Sequence, residues 1–119
     1  DCGAEVKFLG KVRNVNRGKD VQSIEYSSYS EMATQEIHRI LDSVEERWNP
    51  IRCAVIHRVG VLTVGDVAVA IYVASKHRRE AFLSCQYIID RLKETVPIWK
   101  KEMYRDGGHW MGLQCRHET

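Results

Sequence analysis

Apolar and polar residues alternate along 4–13, "AEVKFLGKVR", which predicts a strand with one buried face. Residues 21–29, "VQSIEYSSY", read as a second strand, and "NVNRGKD" between them supplies the Asn and Gly of a hairpin loop joining the two. From Glu31 the period changes. Ala33, Ile37, Ile40, Leu41, Val44 and Trp48 recur at helical spacing, Ser30 is placed to cap the start, and Asn49-Pro50 ends the run. The strand "IRCAVIHRVG" follows, then a Gly65-Asp66 turn, then the β-rich "VAVAIYVAS". Ser75 is expected to cap a second helix, whose buried stripe is Ala81, Phe82, Cys85, Ile88, Ile89 and Leu92. Pro97 ends that helix, "IWKKEMY" reads as a strand, and "RDGGHWMGL" turns at Gly107-Gly108 into another. The resulting order predicts an α+β fold, mostly antiparallel sheet with two main helices.

Composition narrows the class. At 119 residues the chain is expected to form a single domain spanning 1–119. With 44% hydrophobic and 29% charged residues it reads as a globular protein, and no apolar run approaches a membrane span. Cys2, Cys53, Cys85 and Cys115 form no C-x-x-C pair and have no matching histidine spacing, so neither metal nor cofactor is implied. Reduced thiols in apolar segments point to a cytoplasmic protein. A net charge of +2 is too small to indicate nucleic acid as a partner, so the placement of the cations matters more than their sum.

Three basic groupings stand out. In "SKHRREAF", Lys76, His77, Arg78 and Arg79 fall at the start of the second helix, where the macrodipole already presents positive charge. Such a start suits a phosphate or carboxylate, and equally suits a solvated turn that tolerates its charge. Lys11, Arg13, Arg17 and Lys19 run from a strand end into a loop; a basic tip is often only a solubility feature, and Arg13 is the best restrained of the four. In "RLKETVPIWKKE", Lys93 and Lys100 flank Pro97, so a turn there can fold both towards one pocket. Neighbouring positive charge from Arg91, Lys100 and Lys101 would then lower the pKa of Lys93 and make it a useful base or nucleophile. His38 and His57 read as structural, and no nucleophile elbow, phosphate loop or dinucleotide fingerprint is present.

Taken in order, "FLGKVRN", "YSEMA", "HRVGVLTVGD", "SKHRREAF", "IIDRLKETVPIWKKE" and "DGGHW" resemble the large, catalytic subunit of molybdopterin synthase, from Phe8 to Trp110. The resemblance implies that family's α/β hammerhead fold and a sulfurtransferase of molybdenum cofactor biosynthesis. Such an enzyme converts cyclic pyranopterin monophosphate (precursor Z) to molybdopterin. It implies a small ubiquitin-like partner whose C-terminal thiocarboxylate supplies the sulfur, and a heterotetramer built on a central dimer of large subunits. By the same resemblance Lys93 is the principal catalytic lysine and Lys100 the second, while Lys11, Val12, Arg13, His77, Arg78, Lys101 and Glu102 bind substrate. Some of these groups are expected from the neighbouring large subunit. Ser27 departs from the family pattern, standing where relatives commonly carry an acidic residue. The reading from another class is a non-catalytic α+β scaffold that binds an anion or nucleotide through the same basic groups.

Overall fold

The computed structural model describes residues 1–13, 15–16, 19–28, 30–95, 98–104 and 107–110, with side chains for 1–13 and 31–95. Ten elements follow in order: β1 (Ala4–Lys11), β2 (Val15–Asn16), β3 (Lys19–Ser28), α1 (Ser30–Trp48), β4 (Arg52–His57), β5 (Gly60–Thr63), β6 (Val67–Ser75), α2 (Arg78–Thr95), β7 (Ile98–Tyr104) and β8 (Gly107–Trp110). All strand pairs are antiparallel and form two sheets. One has the order β1-β6-β4; the other runs β2-β3-β7-β8, with β5 also paired to β3.

The α+β class with two helices stands, while two expected turns are placed differently. β1 does not form a hairpin with β3: it pairs with β6, Phe8 opposite Ile71, and the chain then crosses to the other sheet. The hairpin is instead the short β2 against β3, Val15 opposite Asp20, inside the stretch expected to be loop. Alternation settles which face a strand buries but is silent about which strand it meets, and this is where the local signal failed. The second difference is at Gly107 and Gly108, which lie within β8 opposite Tyr104 and Met103 rather than at a turn. The predicted break at Pro97 lies outside the described residues.

One layer of helix covers the first sheet. Ile40 and Val44 of α1, Ala81, Cys85, Ile88 and Leu92 of α2, and Val69, Ile71 and Val73 of β6 share one buried cluster, with Val6 and Phe8 of β1 packed at its margin. Full burial of a side chain such as Ile88 or Ile71 contributes roughly 1.5–3 kcal/mol, so this cluster is what fixes α2 over β1 and β6. The carboxyl end of α1 locks onto the middle of α2, where Trp48 meets Tyr87 edge to face at 5.5 Å, Arg47 lies over the Tyr87 ring, and Ser43 and Tyr87 share a hydrogen bond of 2.9 Å. α1 closes with Asn49 in the left-handed region, its N–H donating to the Glu45 carbonyl at 2.9 Å.

Phe82 was expected in the buried stripe and is 61% exposed. It sits one position past Ala81, which faces the core, so the stripe is narrower than the run of apolar letters suggests. Ser75 does not cap α2 either. It is the buried last residue of β6, and its carbonyl accepts from Gly3 N–H at 3.0 Å. A Cβ on Gly3 would lie 2.1 Å from the Lys76 carbonyl oxygen, so only glycine allows the N-terminal segment to pass this close. The strand needs Ser75, and the helix begins three residues later.

Candidate active site

α2 carries candidate residues at both ends. At its start, the His77 carbonyl accepts the Ala81 N–H at 3.3 Å, so His77 is the boundary residue and Arg78 the first within the helix. The first turn therefore contains Arg78 and Arg79 together with Glu80, not four cations; Lys76 and His77 precede it. His77 and Arg78 are both exposed, and Arg79 approaches Glu80 at 3.9 Å. Free N–H groups of the first turn, the helix dipole and the two flanking cations make this end chemically suited to an anion.

The other end is different in kind. Lys93 is half-buried in the wall of a cavity of 390 Å³ between β1 and α2, lined by Val6, Lys7, Phe8, Phe82, Cys85, Gln86, Ile89 and Asp90. Partial burial pushes the Lys93 ammonium below the ordinary lysine value; the Arg13 guanidinium lowers it further, and the Asp90 carboxylate opposes both. A lysine so placed holds more of its neutral amine at a given pH than a solvated one. Gln86 Nε2 donates to Asp90 Oδ1 at 2.9 Å one turn away, fixing the opposing carboxylate. Burial raises the Cys85 thiol above its usual range, so it stays protonated in this wall.

Among the described residues, the cation that acts on Lys93 is Arg13. Arg91 is turned towards Glu94, 3.4 Å away. Arg13 follows β1 where the chain leaves the first sheet; its side chain is exposed, while that of Val12 before it is only 4% exposed. Lys11, at the bulged end of β1 opposite Val67, is exposed. Lys100, Lys101 and Glu102 lie on β7, with Tyr26, Glu25 and Ile24 of β3 opposite them. Their side chains, and the expected convergence of Lys100 with Lys93, fall outside the described residues, as does the side chain of Ser27, which pairs with Trp99 in the same ladder.

Lys93 and Arg13 thereby come within electrostatic reach of each other from sequence positions eighty apart, whereas His77 and Arg78 are held at the far end of α2. At 1.5 Å per residue the axial separation of Arg78 and Lys93 is roughly 22 Å. Sequence reasoning did not find Phe82, Gln86 and Asp90. They stand eleven, seven and three residues before Lys93, a helical spacing that marks them as neighbours on its face once α2 is known to expose that face. Among the described residues no group of three His, Cys, Asp or Glu side chains is placed to hold a metal, and no helix is long and apolar enough to cross a membrane.

Residues 1–95 match the family model of the MoaE protein. The chain belongs to the MoaE protein family. Over 112 residues it is 43% identical to the Molybdopterin synthase catalytic subunit of Staphylococcus carnosus, covering 94% of this chain and 75% of that one. The X-ray crystal structure of Molybdopterin Synthase from Staphylococcus aureus superposes with a TM-score of 0.88 at 41% identity, over 93% of this chain and 81% of that one. A MoaE-like fold also recurs at only 17% identity in a protein–protein complex of subunits 1 and 2 of Molybdopterin-converting factor from Helicobacter pylori, with a TM-score of 0.79 over 97% of this chain and 75% of that one. The hammerhead expected from the motifs is therefore the fold of the MoaE family member described here.

Proposed function

We infer that the chain works as the catalytic subunit of a molybdopterin synthase, transferring sulfur from the thiocarboxylated C-terminus of a small subunit to cyclic pyranopterin monophosphate. Membership in the MoaE family and the Staphylococcus relatives support the reaction. The observation that carries the reading to particular residues is Lys93, half-buried in a cavity wall with its basicity lowered by that burial and further by the Arg13 guanidinium. In this reading Lys93 attracts the anionic sulfur donor while protonated. In its accessible neutral form it accepts the proton lost from carbon as the carbon–oxygen bond breaks, and returns it to the hydroxyl that leaves as water. Lys100 is the second active-site lysine, with Lys101 and Glu102 beside it.

Arg13, His77 and Arg78 neutralise the cyclic phosphate, whose charge grows as its ring opens. Lys11 and Val12 complete that stretch. One protomer does not supply all of these groups to one substrate, because the length of α2 separates Arg78 from Lys93 by more than a pterin phosphate spans. A central dimer that brings His77 and Arg78 of one copy to Lys93 and Arg13 of the other resolves this. A small subunit on each outer side completes a heterotetramer, and the Helicobacter complex of two subunits supports a partner of that kind.

The test is reconstitution: the purified chain, a thiocarboxylated small subunit and precursor Z are mixed, and dithiolene product is measured. Product is expected only when all three are present. Its absence with a verified thiocarboxylated partner would reject sulfur transfer.

A further inference from the structure

The chain crosses between the two sheets after β1 and again between β5 and β6, and these crossings are tied to each other. Val12 N–H donates to the Asp66 carbonyl at 3.0 Å, and Gly65 N–H donates to the Val12 carbonyl at 2.9 Å. Both peptide groups of Val12 are thus taken by a single turn, and its side chain is buried. The turn is itself closed by three bonds: Asp66 N–H to the Thr63 carbonyl at 3.0 Å, Thr63 N–H to Asp66 Oδ2 at 2.9 Å, and Thr63 Oγ1 to Asp66 Oδ2 at 3.2 Å. Gly65 holds a φ of 91°, which L side chains rarely adopt, and the almost fully buried Leu62 anchors the β5 side.

We propose that the Thr63–Asp66 turn is a positioning device for the active site: it grips Val12 from both sides, so sets where Arg13 stands beside Lys93, and makes Asp66 a positioning residue. Arg13 is exposed, and the segment carrying it has left the ladder of β1. On its β1 side that segment is held by the pair of bonds to the turn, and on the other by β2, which pairs with β3 from Val15; the Asp66 carboxylate helps hold the turn in shape. Chiefly through the Thr63 N–H, these contacts keep the Asp66 carboxyl below its ordinary range, and Arg58 acts in the same direction, so the acceptor is charged throughout the neutral range. A displacement of about 1 Å at a substrate-binding group is enough to impair a reaction substantially.

The consequence for catalysis rests on the reading of Arg13 as a substrate-binding residue; the consequence for Lys93 does not. Asp66→Ala is expected to raise KM for precursor Z roughly tenfold, with a smaller change in kcat, as the anion site loosens. It is also expected to raise the pH at which Lys93 titrates, because the guanidinium that lowers it has moved; Asp90 of the same helix and Lys7 of β1 remain in the same cavity wall. Lys93 is followed by the pH dependence of its acylation in the folded protein, read by mass spectrometry, which needs no turnover. Asp66→Asn retains an oxygen for Thr63 and is expected to restore both properties. Should Asp66→Ala not fold, Asp66→Glu, which keeps the charge but displaces it by one methylene, is expected to give the same two changes.

An unchanged Lys93 titration in the folded Ala or Glu variant overturns the proposal. So does an Asn variant as impaired as Ala, since charge rather than turn geometry would then be at work. A shifted titration with unchanged KM upholds the grip and rejects Arg13 as an anion binder.

Discussion

The two ends of α2 carry basic groups in opposite settings. His77 and Arg78 stand exposed at the amino end, on free N–H groups and the positive pole of the helix. Lys93 stands at the carboxyl end in a half-buried wall, where desolvation and Arg13 weaken its hold on a proton. Exposed guanidinium and imidazole groups recognise an anion and let water and salt screen the remainder. A desolvated amine is suited to exchanging a proton with a reacting group. Under the proposed function, one helix separates binding from chemistry along its length, and a second protomer completes the site.

Removing chemistry should cost more than removing recognition. Lys93→Ala is expected to lower turnover by at least about 10²-fold while leaving association with the small subunit intact, measured by product formation and by co-elution of the subunits. Near-normal turnover would erase the distinction between the two ends. Arg78→Ala, at the recognition end, is expected to weaken binding of the phosphate-bearing substrate by roughly tenfold through loss of a charge-assisted contact, measured by calorimetry. Unchanged affinity would count against an anion site there.

Smaller effects sharpen the comparison. Arg13→Gln is expected to raise the titration midpoint of Lys93 and Asp90→Asn to lower it, since the first removes a cause of the depression and the second removes its opponent. Lys93 binds its proton less tightly in the folded state than in the unfolded one. Stability in the wild type therefore rises with pH from the folded value of Lys93 up to the ordinary lysine value and is level beyond it. Arg13→Gln should narrow that window from below and Asp90→Asn should widen it. Equal midpoints in all three proteins would show that burial alone sets the behaviour of Lys93.

Much of this architecture was legible in residue order. Helical periodicity located α1 and α2 and alternation located β1, because burial of one face is imposed by near neighbours in the chain, while β-rich composition located β6, which is buried on both faces. Pairing was less accessible. β1 joins β6 rather than β3, a choice made by the helix layer packed across both strands, and nothing between residues 4 and 29 encodes it. The site followed the same division. The placement of Lys93, His77 and Arg78 at the ends of α2 was readable from basic groups at the ends of a helical period. The influence of Arg13 on Lys93 and the grip of the Thr63–Asp66 turn on Val12 arise only when the sheet crossings meet. Cys85 was correctly assigned to the core, whereas Phe82 took its place in a cavity wall because the face of α2 towards β1 is only partly covered.

The claim that α2 offers its two ends to two different active sites is tested most directly by complementation. Lys93→Ala and Arg78→Ala chains are co-expressed so that mixed dimers form, and turnover is measured with thiocarboxylated small subunit and precursor Z well below KM, where each chain alone is impaired. If the site is shared, each mixed dimer contains one site with both residues intact and one with neither, so random pairing restores roughly a quarter of wild-type activity. Activity no greater than the average of the two parent variants would contradict the account and return both ends of α2 to a single protomer.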